Sequence, residues 1–325
     1  MDSNRIFLDQ FDPHFKRINE ELSKSLSSRV SLIQDIGKHS LLGEGKRLRP
    51  LLFVLSSQLC GYQGDDVYLI STTFEYVHTA SLLHDDVIDN ADVRRNKPSA
   101  SHVWGNSAAV LTGDYLSLKA SAIALSTNNM EFFNVAVDTA TRMTEGQALE
   151  LVHTHNWNIS KDDYMEIITS KTGALMSAAC SCGAIIAGAE KETVDHLSQF
   201  GLNLGIAFQL MDDVLDYTSS KEAFGKPVGK DLREGKITLP LIYTLSNLEK
   251  GEIKGLEDLF KNHKAEEKDY NRIIAMVRNN GAIDRIRSEA KDYVDKAAGF
   301  LDFFPGSTFK EDLTGLNAYM VKRRY

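Results

Sequence analysis

The motif Asp-Asp-x-x-Asp occurs twice in this chain, at Asp85, Asp86 and Asp89 and again at Asp212, Asp213 and Asp216. Each copy closes a strongly apolar run, TFEYVHTASLLH before the first and FGLNLGIAFQLM before the second. On a helix turning about 100° per residue, offsets of zero, one and four bring three carboxylates within an arc of roughly 100°. Like charges that close together weaken the helix carrying them unless a cation lies among them. A helix that is apolar nearly all round and acidic at its end points those carboxylates into a cavity rather than into bulk water. We therefore expect two acidic clusters at the mouth of a deep apolar pocket, a solvated acidic face being the other reading of either motif alone. Oxygen-only ligands favour a hard ion, Mg²⁺ or alternatively Mn²⁺, that keeps several waters and shares its other positions with ligand phosphates.

The rest of the chain carries the same helical period. Apolar residues recur as Leu51, Leu52, Val54 and Leu55, then as Leu69, Thr73, Val77 and Ala80, and alternating strand patterns are scarce. We expect an all-α fold, a single large helical domain over residues 1–325 built as a bundle around a central cavity. Its helices should break near Gly43 to Gly45, Asn96 to Ser99, Asn128 to Asn129 and Asn156 to Lys161. A long polar break from Thr218 to Lys236, rich in Gly and Lys, reads as a loop able to bind an anion.

Composition narrows the function. With 37 Lys and Arg against 45 Asp and Glu the net charge is −8, which disfavours nucleic acid as a partner, because phosphate backbones demand a basic surface. An anionic ligand must be met by local basic clusters or by metal ions. The three cysteines, Cys60, Cys180 and Cys182, make neither an even disulfide set nor a zinc pattern, so we expect buried reduced thiols and a cytoplasmic protein. No secretory signal is visible at the N-terminus. The most membrane-like stretch, Ala174 to Ala189, has 16 residues, short of the roughly 20 needed to span a bilayer, and reads as a small-residue helix packed against others.

Positive charge is supplied at four places. Lys46, Arg47 and Arg49 stand at the apparent start of a helix, where free N–H groups also favour anions. Arg94 and Arg95 follow the first acidic cluster; Lys171 and Thr172 interrupt an apolar helix; Lys226, Lys230 and Lys236 lie in the polar loop. His78, seven residues before Asp85, returns to the same helical face about two turns deeper, and Gln209 takes the equivalent face before Asp212.

These residues resemble the trans-isoprenyl diphosphate synthases, the all-helical polyprenyl synthases. The likeness runs through GKRLRP (Gly45 to Pro50), HTASLLHDDVIDNADVRR (His78 to Arg95), LTGDYL (Leu111 to Leu116), KTGAL (Lys171 to Leu175), FQLMDDVLDY (Phe208 to Tyr217) and GKPVGKDLREGKITLPLI (Gly225 to Ile242). It implies a prenyltransferase that condenses isopentenyl diphosphate head to tail onto an allylic prenyl diphosphate. By that resemblance Asp85, Asp86, Asp89, Asp212, Asp213 and Asp216 hold about three Mg²⁺ ions against the allylic diphosphate. Arg94, Lys171, Gln209, Lys226 and Lys236 match groups that contact the same diphosphate. Lys46, Arg49, His78 and Arg95 match the isopentenyl diphosphate site. Thr172 would lie beside the reacting carbon, and the family is usually homodimeric.

The chemistry suits the residue types independently. Breaking a carbon–oxygen bond heterolytically leaves a carbocation and a diphosphate, so charge on the leaving group must be neutralised by cations. The pocket beneath must be dry, since water would capture the cation.

Product length should depend on the residues one turn below Asp85, where Ala80 and Ser81 stand. Large aromatics at such positions resemble a floor in short-chain enzymes, so two small residues imply a medium or long product, about C30 to C50 and octaprenyl-like, by analogy alone. Phe74, about three turns down, is a candidate for a deeper floor, and Met143 a second; an ordinary core role is the other reading of each.

Other readings stay open: a short-chain synthase, a terpene cyclase or head-to-head synthase, and a noncatalytic partner subunit. The second basic site speaks against the cyclase and head-to-head readings, and two whole acidic motifs against the noncatalytic subunit. A di-metal carboxylate bundle would need Glu-x-x-His ligands, which are not found near these motifs. The C-terminal Lys322, Arg323 and Arg324 read as an exposed tail or as a basic lid.

Overall fold

Several helices begin where the sequence supplies a cap or a proline. Ser160 accepts a hydrogen bond from the Asp163 N–H while the Asp163 carboxylate accepts one from the Ser160 N–H, which closes a capping box. Ser99 caps another helix through the His102 N–H. Pro13 and Pro240 stand in first turns, where a missing N–H leaves no bond unmade.

The computed structural model describes residues 7–43, 45–219, 228–261 and 265–322. In chain order the elements are α1 (Asp12–Ser25), α2 (Ser31–Leu41), α3 (Leu48–Leu59), α4 (Val67–Ile88), β1 (Val93–Arg94), β2 (Lys97–Pro98), α5 (Ala100–Trp104) and α6 (Asn106–Ser126). Then follow α7 (Met130–His153), α8 (Lys161–Ile168), a π-helical segment (Thr169–Gly173), α9 (Ala174–Ile186), α10 (Lys191–Thr218) and α11 (Lys230–Arg233). The chain closes with α12 (Leu239–Leu245), α13 (Lys250–Lys261), α14 (Glu267–Asn279), α15 (Ala282–Leu301) and α16 (Thr308–Lys322). The four expected breaks all fall between helices. The only strands among the described residues pair as an antiparallel ribbon, Val93 with Pro98 and Arg94 with Lys97. Arg95 and Asn96 turn it with positive φ at both positions, as a primed two-residue hairpin turn requires.

Two compact units are distinguished, each discontinuous in sequence. The first takes 1–141, 175–201 and 300–315. Within it α4 packs along α6 and also against α3 and α1. The rings of Phe53, Phe74 and Phe132 close on one another at 5.4–6.1 Å, each fully buried. Each such ring contributes on the order of 2–3 kcal/mol of burial free energy. The small-residue α9 is buried here, as its composition implied, and no described helix is long and apolar enough to cross a membrane. All three cysteines are free; burial pushes the Cys60 thiol up to about 11 and the Cys180 thiol up to about 12.

The second unit takes 142–174, 202–299 and 316–325. Its core gathers Trp157, Leu210, Val214, Tyr217, Leu239 and Ile286. Two glycines clamp the π-helical segment: a Cβ on Gly205 would lie 2.8 Å from the Gly173 Cα, and one on Gly146 would lie 3.0 Å from the Lys171 nitrogen. That close approach of backbones fixes where Lys171 and Thr172 stand. π-Helical turns of this kind recur at functional positions in helices.

Candidate active site

In the first unit, α4 is buried along most of its length and ends in carboxylates. Asp85 and Asp86 are only 8% and 3% exposed, which excludes a solvated acidic face; Asp89 is half-buried. The β-ribbon returns Arg94 to this end, where its Nε and Nη2 both donate to Asp86 Oδ1 at 2.8 and 2.5 Å. Arg94 is thus already paired with the first motif.

Around His78, about two turns deeper on the same helix, arginines from neighbouring segments concentrate positive charge. His78 is half-buried, and burial together with the fields of Arg49, Arg95, Arg94 and Arg47 holds its imidazole well below the ordinary range, so it is neutral at pH 7. Burial also lowers Arg95, an effect opposed by Glu75 and reinforced by Arg47. Lys46 is exposed beside them. A small recess of about 40 Å³ opens in this region, lined by His39, Thr79, Asp86, Arg94, Arg95 and Lys97. Guanidinium groups crowded this closely favour a multivalent anion.

In the second unit, Lys171 on the π-helical segment reaches Glu150 Oε2 at 2.6 Å, and Lys236 lies 3.9 Å from the same oxygen and 3.0 Å from Glu234. Burial opposes ionisation of Glu150, but Lys171 and Lys236 outweigh it and hold the carboxyl below its usual range. A second chain of bonds starts at Thr172, whose hydroxyl donates to Gln209 Oε1 at 2.9 Å. Gln209 Nε2 donates to Asp213 Oδ1 at 2.8 Å, and the Tyr164 hydroxyl donates to Asp213 Oδ2 at 2.7 Å. Asp216 accepts the backbone N–H groups of Lys230 and Asp231, which ties the end of α10 to α11.

Burial pushes Asp213 up to about 7 and Asp216 up to about 6, with repulsion from neighbouring carboxylates adding to it; Asp231 is raised for the same reasons. Carboxylates held in that state are relieved by a divalent cation, so the donor set fits a hard ion. Among the described residues no three Asp, Glu, His or Cys side chains form a ready metal cage.

The chain-length candidates lie as follows. Ala80 is buried, and Ser81 is half-buried with its hydroxyl bonded to the His78 carbonyl at 2.8 Å. Phe74 belongs to the closed three-ring cluster of the first unit; Met143 is buried in the second. Lys226, Arg323 and Arg324 lie outside the described residues.

Sequence reasoning missed several partners. Glu75 had one available signal, a single acid inside an apolar run three residues before His78. Glu150 and Tyr164 had none, since their partners are 21 and 49 residues away.

The sequence model of the polyprenyl synthetase family matches residues 30–277. The chain is 34% identical to octaprenyl diphosphate synthase of Haemophilus influenzae over 97% of its length and 95% of that protein's. It is 34% identical to octaprenyl diphosphate synthase of Escherichia coli, covering 94% of each. The fold is similar to the crystal structure of polyprenyl synthase from Caulobacter crescentus CB15 complexed with calcium and isoprenyl diphosphate. The TM-score is 0.93 at 35% identity, over 99% of this chain and 98% of that one.

Proposed function

The chain belongs to the polyprenyl synthetase family and is a prenyltransferase, and from that premise we propose that it adds isopentenyl diphosphate units head to tail to an allylic prenyl diphosphate. The observation that carries this reading is that one helix has a buried acidic end and, deeper, a neutral His78 on which the charges of Arg47, Arg49, Arg94 and Arg95 converge. A single-substrate ionising enzyme has no use for that second anion-binding cluster.

Asp85, Asp86, Asp89, Asp212, Asp213 and Asp216 are the residues that would hold Mg²⁺, about three ions. Bound there, the ions would supply positive charge to the leaving diphosphate. Arg94, Lys171, Gln209, Lys226 and Lys236 bind the allylic diphosphate, and Lys46, Arg49, His78 and Arg95 bind isopentenyl diphosphate. The allylic carbon–oxygen bond breaks with both electrons leaving on the diphosphate, whose charge Lys171 and Lys236 take up in exchange for Glu150. Because the Thr172 hydroxyl spends its proton on Gln209, its lone pairs are available to the developing cation. The double bond of isopentenyl diphosphate attacks that cation, and loss of one proton, with the released diphosphate as base, restores a double bond. Purified protein incubated with Mg²⁺, isopentenyl diphosphate and allylic primers of different length gives products whose sizing tests the reading directly.

The product is medium or long, about C30 to C50 and octaprenyl-like, an analogy supported by the small side chains of Ala80 and Ser81. Ser81→Phe or Ala80→Tyr places an aromatic ring one turn below Asp85. Mass spectrometry of the products is expected to show a shift to shorter chains at largely preserved turnover; an unchanged distribution counts against this account of the shaft.

The working unit is a homodimer. In α6 the buried face carries Ala109, Thr112, Leu116, Ala120 and Ile123, yet Leu111, Leu118 and Leu125 on the opposite side are 63%, 70% and 53% exposed. Leucines repeating every seven residues form a stripe that a second copy can cover with its own, as a twofold interface requires. Light scattering should give twice the chain mass for the wild type and a substantially lower mass for Leu118→Arg. A Leu118→Arg variant that stays fully dimeric would place the contact elsewhere.

A further inference from the structure

Arg47 stands between two residues assigned to the isopentenyl diphosphate site, yet its side chain points the other way. It is 4% exposed. Its Nε donates to Asn19 Oδ1 at 2.9 Å on α1, and Nη1 donates to Glu75 Oε1 at 2.7 Å on α4. Nη2 donates to the carbonyls of Leu41 and Gly43, at 2.7 and 2.9 Å, at the end of α2. One guanidinium therefore fastens three helices to the start of a fourth, since the Arg47 carbonyl accepts the Leu51 N–H of α3.

The backbone at Arg47 is left-handed, φ +47°, a conformation that a bulky residue keeps only when its surroundings over-determine it. That conformation, pinned through the side chain, sets where Lys46 leaves the loop and where Arg49 enters α3. Glu75 also faces Arg95, whose charge it favours. Gly45 passes between the two arginines: a Cβ there would lie 2.6 Å from Arg47 Nη1 and 2.8 Å from Arg95 Nη1. Arg47 thus bonds the buried Glu75 carboxylate whose field also reaches Arg95.

We propose that Arg47, held by Glu75, is the positioning residue of the second diphosphate site, fixing Lys46, Arg49 and Arg95 at the spacing the anion needs without touching it. The inference rests on the reading of that site as the one for isopentenyl diphosphate.

The test must separate positioning from plain stability. Replacing a buried ion pair by apolar residues of similar volume is often neutral for folding, whereas removing one partner is not. The variants are Arg47→Lys, which keeps charge but not the four-bond geometry, and the double variant Arg47→Met with Glu75→Leu. Initial rates are read against isopentenyl diphosphate and against the allylic substrate separately, with melting temperature alongside.

Both variants are expected to raise KM for isopentenyl diphosphate about tenfold or more, as a misplacement near 1 Å would. KM for the allylic diphosphate, and its slow hydrolysis without the second substrate, stay within about twofold. A folded double variant with wild-type KM for isopentenyl diphosphate overturns the proposal. Should the double variant not fold, Arg47→Lys with unchanged KM overturns it equally. A wild-type enzyme that isopentenyl diphosphate fails to saturate is a different result: it removes the functional reading on which the proposal stands.

Discussion

Alanine at Asp212 or at Asp85 is expected to lower turnover at least about a thousandfold, equivalent to ~4 kcal/mol of transition-state stabilisation. The two carboxylates belong to different helices, and the expectation is the same for both because, in the proposed function, each triplet would hold metal ions that neutralise the leaving group. The accompanying change in stability has the opposite sign to that of an ordinary core mutation. Asp212 adds to the repulsion that raises Asp213, so its removal leaves a less strained helix end. The melting temperature of Asp212→Ala should therefore hold or rise while the rate collapses. Product formation from labelled isopentenyl diphosphate measures the first quantity and calorimetry the second. A variant with near-normal turnover would remove the metal-binding role of that motif, and a variant that simply unfolds would show that the aspartate is structural.

Gly205→Val should be the most damaging single change in the second unit outside the charged residues. Replacing a helical glycine by a residue with a side chain normally gains up to about 1 kcal/mol from propensity. Here the new Cβ would press on the Gly173 Cα at 2.8 Å, and backbone is a neighbour that cannot rotate away. Overpacking of this kind costs about 1–3 kcal/mol or more. The displaced element is the π-helical segment that carries Lys171 and Thr172, so turnover should drop about a hundredfold even in the folded fraction. Gly255→Ala supplies the contrast. It lies in α13 with open space around its Cα, and should stabilise by about 0.5–1 kcal/mol with no change in rate. Thermal melts and turnover of the two variants check both signs. Equal behaviour of the two would show that the close contact between α10 and the π-helical segment is not what places Lys171.

Much of this protein was legible in its sequence, for a definite reason. Helix periods, the four breaks, the buried acidic ends of α4 and α10 and the burial of α9 are local properties, set by the spacing of apolar and charged residues within one or two turns. Lys171 is an instructive partial case. The sequence marked it as an interruption in an apolar helix, but not the π-helical turn that carries it, which packs closely against Gly146 and Gly205, far from it along the chain. Arg94 and Arg95 were legible as a basic turn; that the turn is a two-residue hairpin aiming Arg94 at Asp86 was not.

By itself, then, the sequence determined the helical class, the two aspartate-rich helix ends and the stock of cationic side chains, since each is written in residues that are neighbours on one helix or loop. Only the tertiary structure decided which charge faces which: Arg47 turned inward to Glu75, Lys171 held by Glu150, and Asp213 gripped by Tyr164 and Gln209. Partners such as Tyr164 and Asp213 are 49 residues apart, and what brings them together is the burial of whole helix faces, a cooperative quantity that no local pattern of residues encodes.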